Sequence, residues 1–252
     1  MKTIAQIRRE FETAGWAHAQ TLCLAYADDP RSGVQAMIKK AAHAAQSLEN
    51  ELARLQAMRE YEEKYAHVGL ICGIDEVGRG PLAGPVFACA VILPPDCRIL
   101  YLNDSKQLSA AKREELDQEI RETAIAVGLG SVSQERIDEI NILQATYEAM
   151  RQAVRELTPG PSLLLVDAVT IPDMEIPQVP LIKGDTRSVS IAAASIVAKV
   201  ARDRLMEEYD HEYPQYGFAS NKGYGSAAHI KALKEYGPCP LHRRSFISGI
   251  VN

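Results

Sequence analysis

Leu70-Ile71-Cys72-Gly73-Ile74-Asp75-Glu76-Val77-Gly78-Arg79-Gly80-Pro81-Leu82-Ala83-Gly84-Pro85-Val86-Phe87-Ala88-Cys89-Ala90-Val91-Ile92-Leu93 joins two apolar runs through a glycine-rich loop. The first run, Leu70 to Asp75, is short and closes on an acid. The second, Pro85 to Leu93, is longer and rich in strand-forming residues. A short link between two such runs predicts neighbouring antiparallel strands. The chemistry to look for then lies where the first run stops.

Working outward, Ser109 caps a charged amphipathic helix that runs to about Thr123, and Ala124 to Val132 reads as a third strand. Asn141 starts a helix through Leu157, stopped by Thr158-Pro159-Gly160-Pro161. Leu163 to Val166 is a continuous apolar run, as expected of a strand covered on both faces. Gln178 to Ile182 reads as a strand, Arg187 to Tyr209 as a long helix, and Ser226 to Tyr236 as a helix ended by Gly237-Pro238. Closely linked early strands predict an antiparallel half, and helix-separated later strands a parallel half. The expected fold class is therefore α/β, built on a mixed sheet.

Upstream, Met1 to about Ala66 reads as helix only. Thr3 is an N-cap candidate for a helix carrying Ile4, Ile7 and Phe11, which Gly15 could end. Asp28-Asp29-Pro30 signals a turn or helix start. After it Val34, Ile38, Ala41, Ala45, Leu48, Leu52 and Leu55 form a heptad-like stripe. A helical hairpin or arm, a self-associating coiled coil and a cap on the following domain all fit this pattern. Arg31, Lys39, Lys40 and His43 make the first half of its other face basic enough to touch a phosphate backbone. The expected organisation is an N-terminal extension over 1–66, a candidate substrate-binding arm, and a catalytic domain over 67–252.

The bulk numbers bound the function. At 46% hydrophobic and 24% charged, the 252 residues have the balance of an ordinary globular protein. No stretch of about 18 apolar residues exists, so no membrane span is expected. Met1 to Glu12 lacks the apolar core of a secretory leader, which makes cytoplasm the default compartment. The five cysteines (Cys23, Cys72, Cys89, Cys97 and Cys239) form no CxxC pair and read as free thiols. A net charge of −5 argues against nucleic-acid binding by the whole surface and leaves room for a local basic patch.

Four acids stand where acids are out of character. Asp75 and Glu76 close a strand, Asp167 closes Leu163 to Val166, and Asp185 follows Lys183-Gly184 just before a helix. A carboxylate at a buried strand end needs a partner or a metal. Mg²⁺ and Mn²⁺ take hard oxygen ligands, and ions about 4 Å apart can activate a water and stabilise a leaving oxygen. Alternatives stay open on residue type alone: an N-cap, a complement to a helix dipole, or an acid–base pair. One geometric difficulty stands out. Adjacent strand residues point to opposite faces, so the strand is expected to end or bulge at Asp75-Glu76, with Gly78 allowing a sharp turn. The Gly78-Arg79-Gly80 loop lacks the full dinucleotide fingerprint.

At this point the resemblance becomes specific. Gly73 to Val86 resembles the signature opening of the ribonuclease HII family. Further blocks are similar in family order: Asn103 to Ser109, Leu165-Val166-Asp167, Lys183-Gly184-Asp185, Ile191 to Val200, Asn221-Lys222-Gly223-Tyr224-Gly225 and Leu241-His242-Arg243. The resemblance implies an RNase H-like fold with a five-stranded mixed sheet flanked by helices, plus an N-terminal helical extension. It implies an endonuclease acting on RNA–DNA hybrids and on ribonucleotide-containing duplex DNA. Such an enzyme cuts 5′ to a ribonucleotide by two-metal-ion catalysis and leaves a 3′-hydroxyl and a 5′-phosphate. Asp75, Glu76, Asp167 and Asp185 are the implied catalytic residues and ligands of Mn²⁺ or Mg²⁺. A monomer is expected.

Only the 2′-hydroxyl distinguishes RNA from DNA at a given sugar. The resemblance assigns its reading to Gly78, Arg79 and Gly80, with the glycines bringing backbone close to the minor groove and Arg79 holding a phosphate. It places Tyr224 on the neighbouring deoxyribose. Lys106, in a loop, and Lys183 are further phosphate candidates. Lys199, Arg202 and Arg204 fit either a phosphate track or a solvated helix face, and His242 either a site residue or a structural hydrogen bond. A ribonuclease HIII would share the carboxylates but is expected to carry a β-rich N-terminal domain. A silent hybrid-binding protein would have lost one of the four acids, and all are present.

Overall fold

The computed structural model describes residues 2–251, and the chain divides into two compact units, a smaller one ending at Gln56 and a larger one beginning at Ala57. The smaller unit is helical. In α1 (Ile4–Thr13) Thr3 and Gln6 form a reciprocal capping box, and Ile7 is fully buried. α2 (Trp16–Ala25) follows at once, with Gly15 as its N-cap. It lies within the region expected to be helical, and its apolar periodicity is weak. α3 (Ser32–Met58) contains the heptad-like stripe, of which Val34 and Leu55 are buried while Leu52 is exposed. Arg31, expected on the basic face, is instead tied to Asp29 at 2.5 Å and donates to the Lys2 carbonyl.

The larger unit begins with α4 (Glu60–Lys64). Tyr61 and Tyr65 pack on the cluster of Ile71, Leu163, Leu165, Leu181 and Ile191, so the residues after Gln56 belong with this unit. Then come β1 (Ile71–Val77), β2 (Val86–Ile92), α5 (Ala110–Thr123), β3 (Ala126–Val132), α6 (Gln134–Ile140) and α7 (Ile142–Arg155). β4 (Leu163–Asp167), β5 (Gln178–Leu181), α8 (Val189–Glu212), α9 (Phe218–Asn221), α10 (Ala227–Tyr236) and α11 (Arg244–Ile247) complete it. The five-stranded sheet has the order β3-β2-β1-β4-β5. β1–β2 and β2–β3 are antiparallel, while β1–β4 and β4–β5 are parallel, as the linker lengths require.

Strand periodicity assigns each face. Cys72 and Ile74 of β1, with Leu164 and Val166 of β4, join Ala149, Met150 and Ala153 of α7 in one core. Gly128 and Gly130 of β3 let α7 come close, since an added Cβ would lie 2.0 Å from the Ala153 and Ala149 carbonyls. The opposite face meets α8, whose first half is buried all round and so reads as a central helix. Gly73 is required there, because an added Cβ would lie 2.1 Å from the Ser190 carbonyl carbon. Glu62 fixes the start of α8, accepting from Ser188 Oγ at 2.5 Å and from the Ser190 backbone at 3.0 Å.

Candidate active site

The parallel register of β1 and β4 pairs Gly73 with Leu165 and Ile74 with Val166. Asp75 and Asp167 are the next positions on the two strands, and both fall on the face that meets α8. Asp167 ends β4. Its Oδ1 accepts from the Gly184 backbone at 2.6 Å, which docks the turn Gly184–Thr186 and brings Asp185 to the same end of the sheet. Gly184 has no room for a side chain, since an added Cβ would stand 2.6 Å from Ile191 Cδ1.

Glu76 resolves differently from the expectation. β1 neither ends nor bulges at Asp75-Glu76: regular pairing with β2 continues through Val77–Phe87. Pairing with β4, however, stops at Ile74–Val166. The edge of β1 that β4 covers is therefore open beyond Ile74, and the Glu76 carboxylate reaches the site around that edge. Asp75, Glu76, Asp167 and Asp185 accordingly line one cleft of about 370 Å³, together with Ser105, Lys106, Ser195, Lys199 and Tyr224.

The carboxylates are crowded, and Asp75 is buried. Burial, then the charge of Glu76, pushes the Asp75 carboxyl well above its ordinary range, against a hydrogen bond from Ser195. Burial raises Glu76 as well, with Arg79 opposing at 3.4 Å. Asp185 is raised by burial, then by Asp104 and Asp167. In each the first cause is burial, which disfavours the anionic form. The donors are all carboxylate oxygens, the set that suits a hard divalent ion such as Mg²⁺ or Mn²⁺. Among the described residues no three His, Cys, Asp or Glu side chains are already drawn into a coordination sphere. The fit rests on donor type and on the four carboxylates sharing one cleft.

The other expected residues divide. Gly78 has φ 91° and Arg79 is exposed. Gly80 lies against Tyr224, whose Cε1 would be 3.7 Å from an added Cβ. Tyr224 is 42% exposed at the cleft rim, and Lys106 lines the cleft. Lys183 is an exposed left-handed residue outside the cleft lining. Two side chains were missed by sequence reasoning, Ser105 and Ser195, which bond each other at 3.0 Å beside Asp75. Small hydroxyl residues in apolar or loop settings gave no signal of their own.

The basic residues also sort by structure. Lys199 lines the cleft with its ammonium on Asp203 at 2.7 Å, and Arg204 pairs with Glu114 on the surface. Arg202 is neither on a solvated face nor on a phosphate track: it is fully buried. His242 is buried against His229, their Nε2 atoms 3.0 Å apart, and serves as a structural group. The hydrogen-bond direction in this pair is determined. The Tyr224 carbonyl can only accept, so His229 Nδ1 donates to it at 2.9 Å. His229 Nε2 then accepts from His242 Nε2, and His242 Nδ1 accepts from the Cys239 backbone at 3.0 Å.

A mixed five-stranded sheet in this order, with carboxylates at the joined ends of its central strands, defines an RNase H-like nuclease core. A model of the ribonuclease HII family matches residues 72–248, and one of the ribonuclease HII N-terminal domain matches residues 3–66. Ribonuclease HII of Lachnoclostridium phytofermentans is 61% identical over 249 residues, 99% of this chain and 98% of the relative. That of Enterococcus faecalis is 55% identical over 221 residues, covering 87% and 86% of the two chains. The crystal structure of ribonuclease H2 from Pyrococcus horikoshii superposes with a TM-score of 0.61 at 28% identity, covering 72% of this chain and 96% of that one. The chain belongs to the ribonuclease HII family. It is a ribonuclease H, a nuclease of the hydrolase class.

Proposed function

We propose that this enzyme hydrolyses the RNA strand of RNA–DNA hybrids and cuts 5′ to ribonucleotides embedded in duplex DNA, leaving 3′-hydroxyl and 5′-phosphate ends. One observation carries the reading: carboxylates from three separate segments line one cleft whose rim holds Tyr224 beside Gly80. Asp75, Glu76, Asp167 and Asp185 would hold Mn²⁺ or Mg²⁺, which supply water activation and stabilisation of the leaving oxygen when bound. Ser195 orients the Asp75 carboxylate. Lys106 offers a cation to a phosphate from the cleft wall, and Arg79, exposed beside Glu76, offers another. The exposed backbone at Gly80 presents polar groups to a sugar hydroxyl, and the Tyr224 ring offers a flat surface to the next sugar.

In this reading residues 1–66 form an arm that raises substrate affinity and 67–252 carry the chemistry. Lys39, Lys40 and His43 are exposed on α3 and supply the basic face. The enzyme acts as a monomer in the cytoplasm. Its cysteines are free thiols, in keeping with a reducing compartment, and no helix among the described residues is long and apolar enough to cross a membrane. The test is a DNA duplex carrying one ribonucleotide, incubated with Mg²⁺, with Mn²⁺ and with EDTA. A single cut 5′ to the ribonucleotide that EDTA suppresses is expected. An intact duplex with both metals, or cutting in EDTA, would sink the proposal.

A further inference from the structure

Two arginines lie fully buried beneath the glycine-rich loop, Arg202 on α8 and Arg243 just before α11. Among the described residues neither makes an ion pair; both spend their N–H groups on backbone carbonyls. Arg202 donates from Nε to Pro85 at 3.0 Å, from Nη2 to Ala83 at 3.1 Å and from Nη1 to Lys222 at 2.8 Å. Arg243 donates to Gly78 at 2.6 Å, to Arg79 at 2.9 Å and twice to Gly84. A buried cation facing only neutral acceptors is costly, and an apolar side chain would fill the same space without that penalty. What the guanidinium offers is reach: a rigid planar fork that holds several carbonyls at fixed separations.

Those carbonyls belong to two loops. Arg202 bridges the segment after Gly80 to the turn carrying Tyr224, and Arg243 holds the root and the far end of the glycine loop. The glycines are cut to this arrangement. Gly78 at φ 91° would press an added Cβ within 2.3 Å of Arg202 Nε, and Gly223 at φ 83° would press one within 2.5 Å of the Ala83 carbonyl. The Leu82 backbone also donates to Gly223 at 2.8 Å. The spacing between the Gly80 backbone and the Tyr224 ring is therefore set from below.

We propose that Arg202 and Arg243 are positioning residues for substrate discrimination, locking the 78–85 loop and the Lys222–Tyr224 turn into one rigid reader of the RNA–DNA junction. The inference rests on the reading in which those two loops meet the junction. Arg202→Lys and Arg243→Lys keep the charge and lose the span. Gly223→Ala prises the loops apart from the surface and leaves both arginines in place. The readout is the ratio of kcat/KM on a one-ribonucleotide duplex to that on a uniform RNA–DNA hybrid, in Mg²⁺ and in Mn²⁺, beside a thermal melt.

The ratio is expected to fall about tenfold in each variant, the range of one lost stacking contact. In a Tyr224→Ala background Arg202→Lys should lower it no further, since both act through one ring. A lowered melting temperature with the ratio kept, or additive losses in the double variant, would make the arginines merely structural. Should the lysine variants fail to fold, Gly223→Ala decides, and an unchanged ratio there overturns the proposal. An unchanged ratio in Tyr224→Ala alone would instead overturn the junction reading, and this inference with it.

Discussion

Acidifying the metal-free enzyme should unlock the His229–His242 pair, and the size of the effect follows from the structure. Both imidazoles are neutral by necessity, because each ring has one nitrogen facing a donor and the other an acceptor. Protonating His242 would set its Nδ1–H against the Cys239 N–H. The surroundings offer no relief: the rings of Tyr216 and Phe218 pack on the pair, and the buried Cys239 thiol is raised by burial and stays neutral. Burial, followed by the adjoining His229, with which a second proton would be in repulsion, brings His242 down from 6.5 to about 4. The sign is that of a group protonated more readily when unfolded. Its contribution is fully present above pH 6.5 and is lost as pH falls towards 4. That separation is worth about 3 kcal/mol, with little solvent screening at 2% exposure. At about 2–4 °C per kcal/mol for a unit of this size, it corresponds to roughly 6–12 °C in Tm. The assay is the stability difference between the native protein and His242→Gln, whose amide can still donate to His229 but does not titrate. Melts in EDTA across the window from neutral pH to about 4.5 should show that difference shrinking by about 2.5 kcal/mol. The carboxylates titrate in both proteins and cancel. A difference that stays constant across the window would refute the assignment of the proton positions.

Three further outcomes are expected. Asp75→Asn should abolish cleavage in Mg²⁺ while hybrid binding by gel shift persists, and near-normal turnover would remove Asp75 from the chemistry. Because its folded carboxyl is raised, the penalty for ionising it grows as pH climbs through the folded value, so this variant should also melt higher than the native protein at neutral pH in EDTA. Tyr224→Ala should lose about 1–3 kcal/mol of junction preference, or roughly 5- to 150-fold, with a small change in Tm; equal losses on junction and all-RNA substrates would make Tyr224 structural. A fragment beginning at Ala57 should stay folded with a raised KM and a shallower salt dependence if the arm holds substrate. One beginning at Val68 should melt lower, having lost Glu62 from Ser188 and Tyr61 from Arg187; equal melting temperatures would contradict the packing role of α4.

Much of this was legible because the relevant signals are local. Sheet class follows from linker length, and the caps at Thr3, Ser109 and Asn141 are one-residue signals that act where they stand. The start of the second unit was not legible at Gln56, since α4 is mostly charged and offers only Tyr61, with Tyr65 just after it, to a core, and only the partner surface of Leu163, Leu165 and Ile191 decides. Arg202 misled for a related reason. A charge in a helix pattern is read as a solvated face, and the acceptors that make burial tolerable here are backbone carbonyls of distant loops, which carry no residue-type signal.

The Asp75-Glu76 pair marks the limit of periodicity more sharply. Alternation requires the two side chains to leave β1 on opposite faces, and the regular pairing through Val77 shows that alternation is obeyed. What lets both carboxylates reach one cleft is a mismatch in strand length: β4 ends at Asp167, while β1 continues past Asp75. Beyond that point β1 has a covered edge and an open one, and the open edge joins the two faces. Neither strand's own residues encode this, because it is a property of where the neighbour stops. The position of Asp167 at the end of β4 thus does two things: it brings a carboxylate beside Asp75, and by ending the strand it opens the way for Glu76.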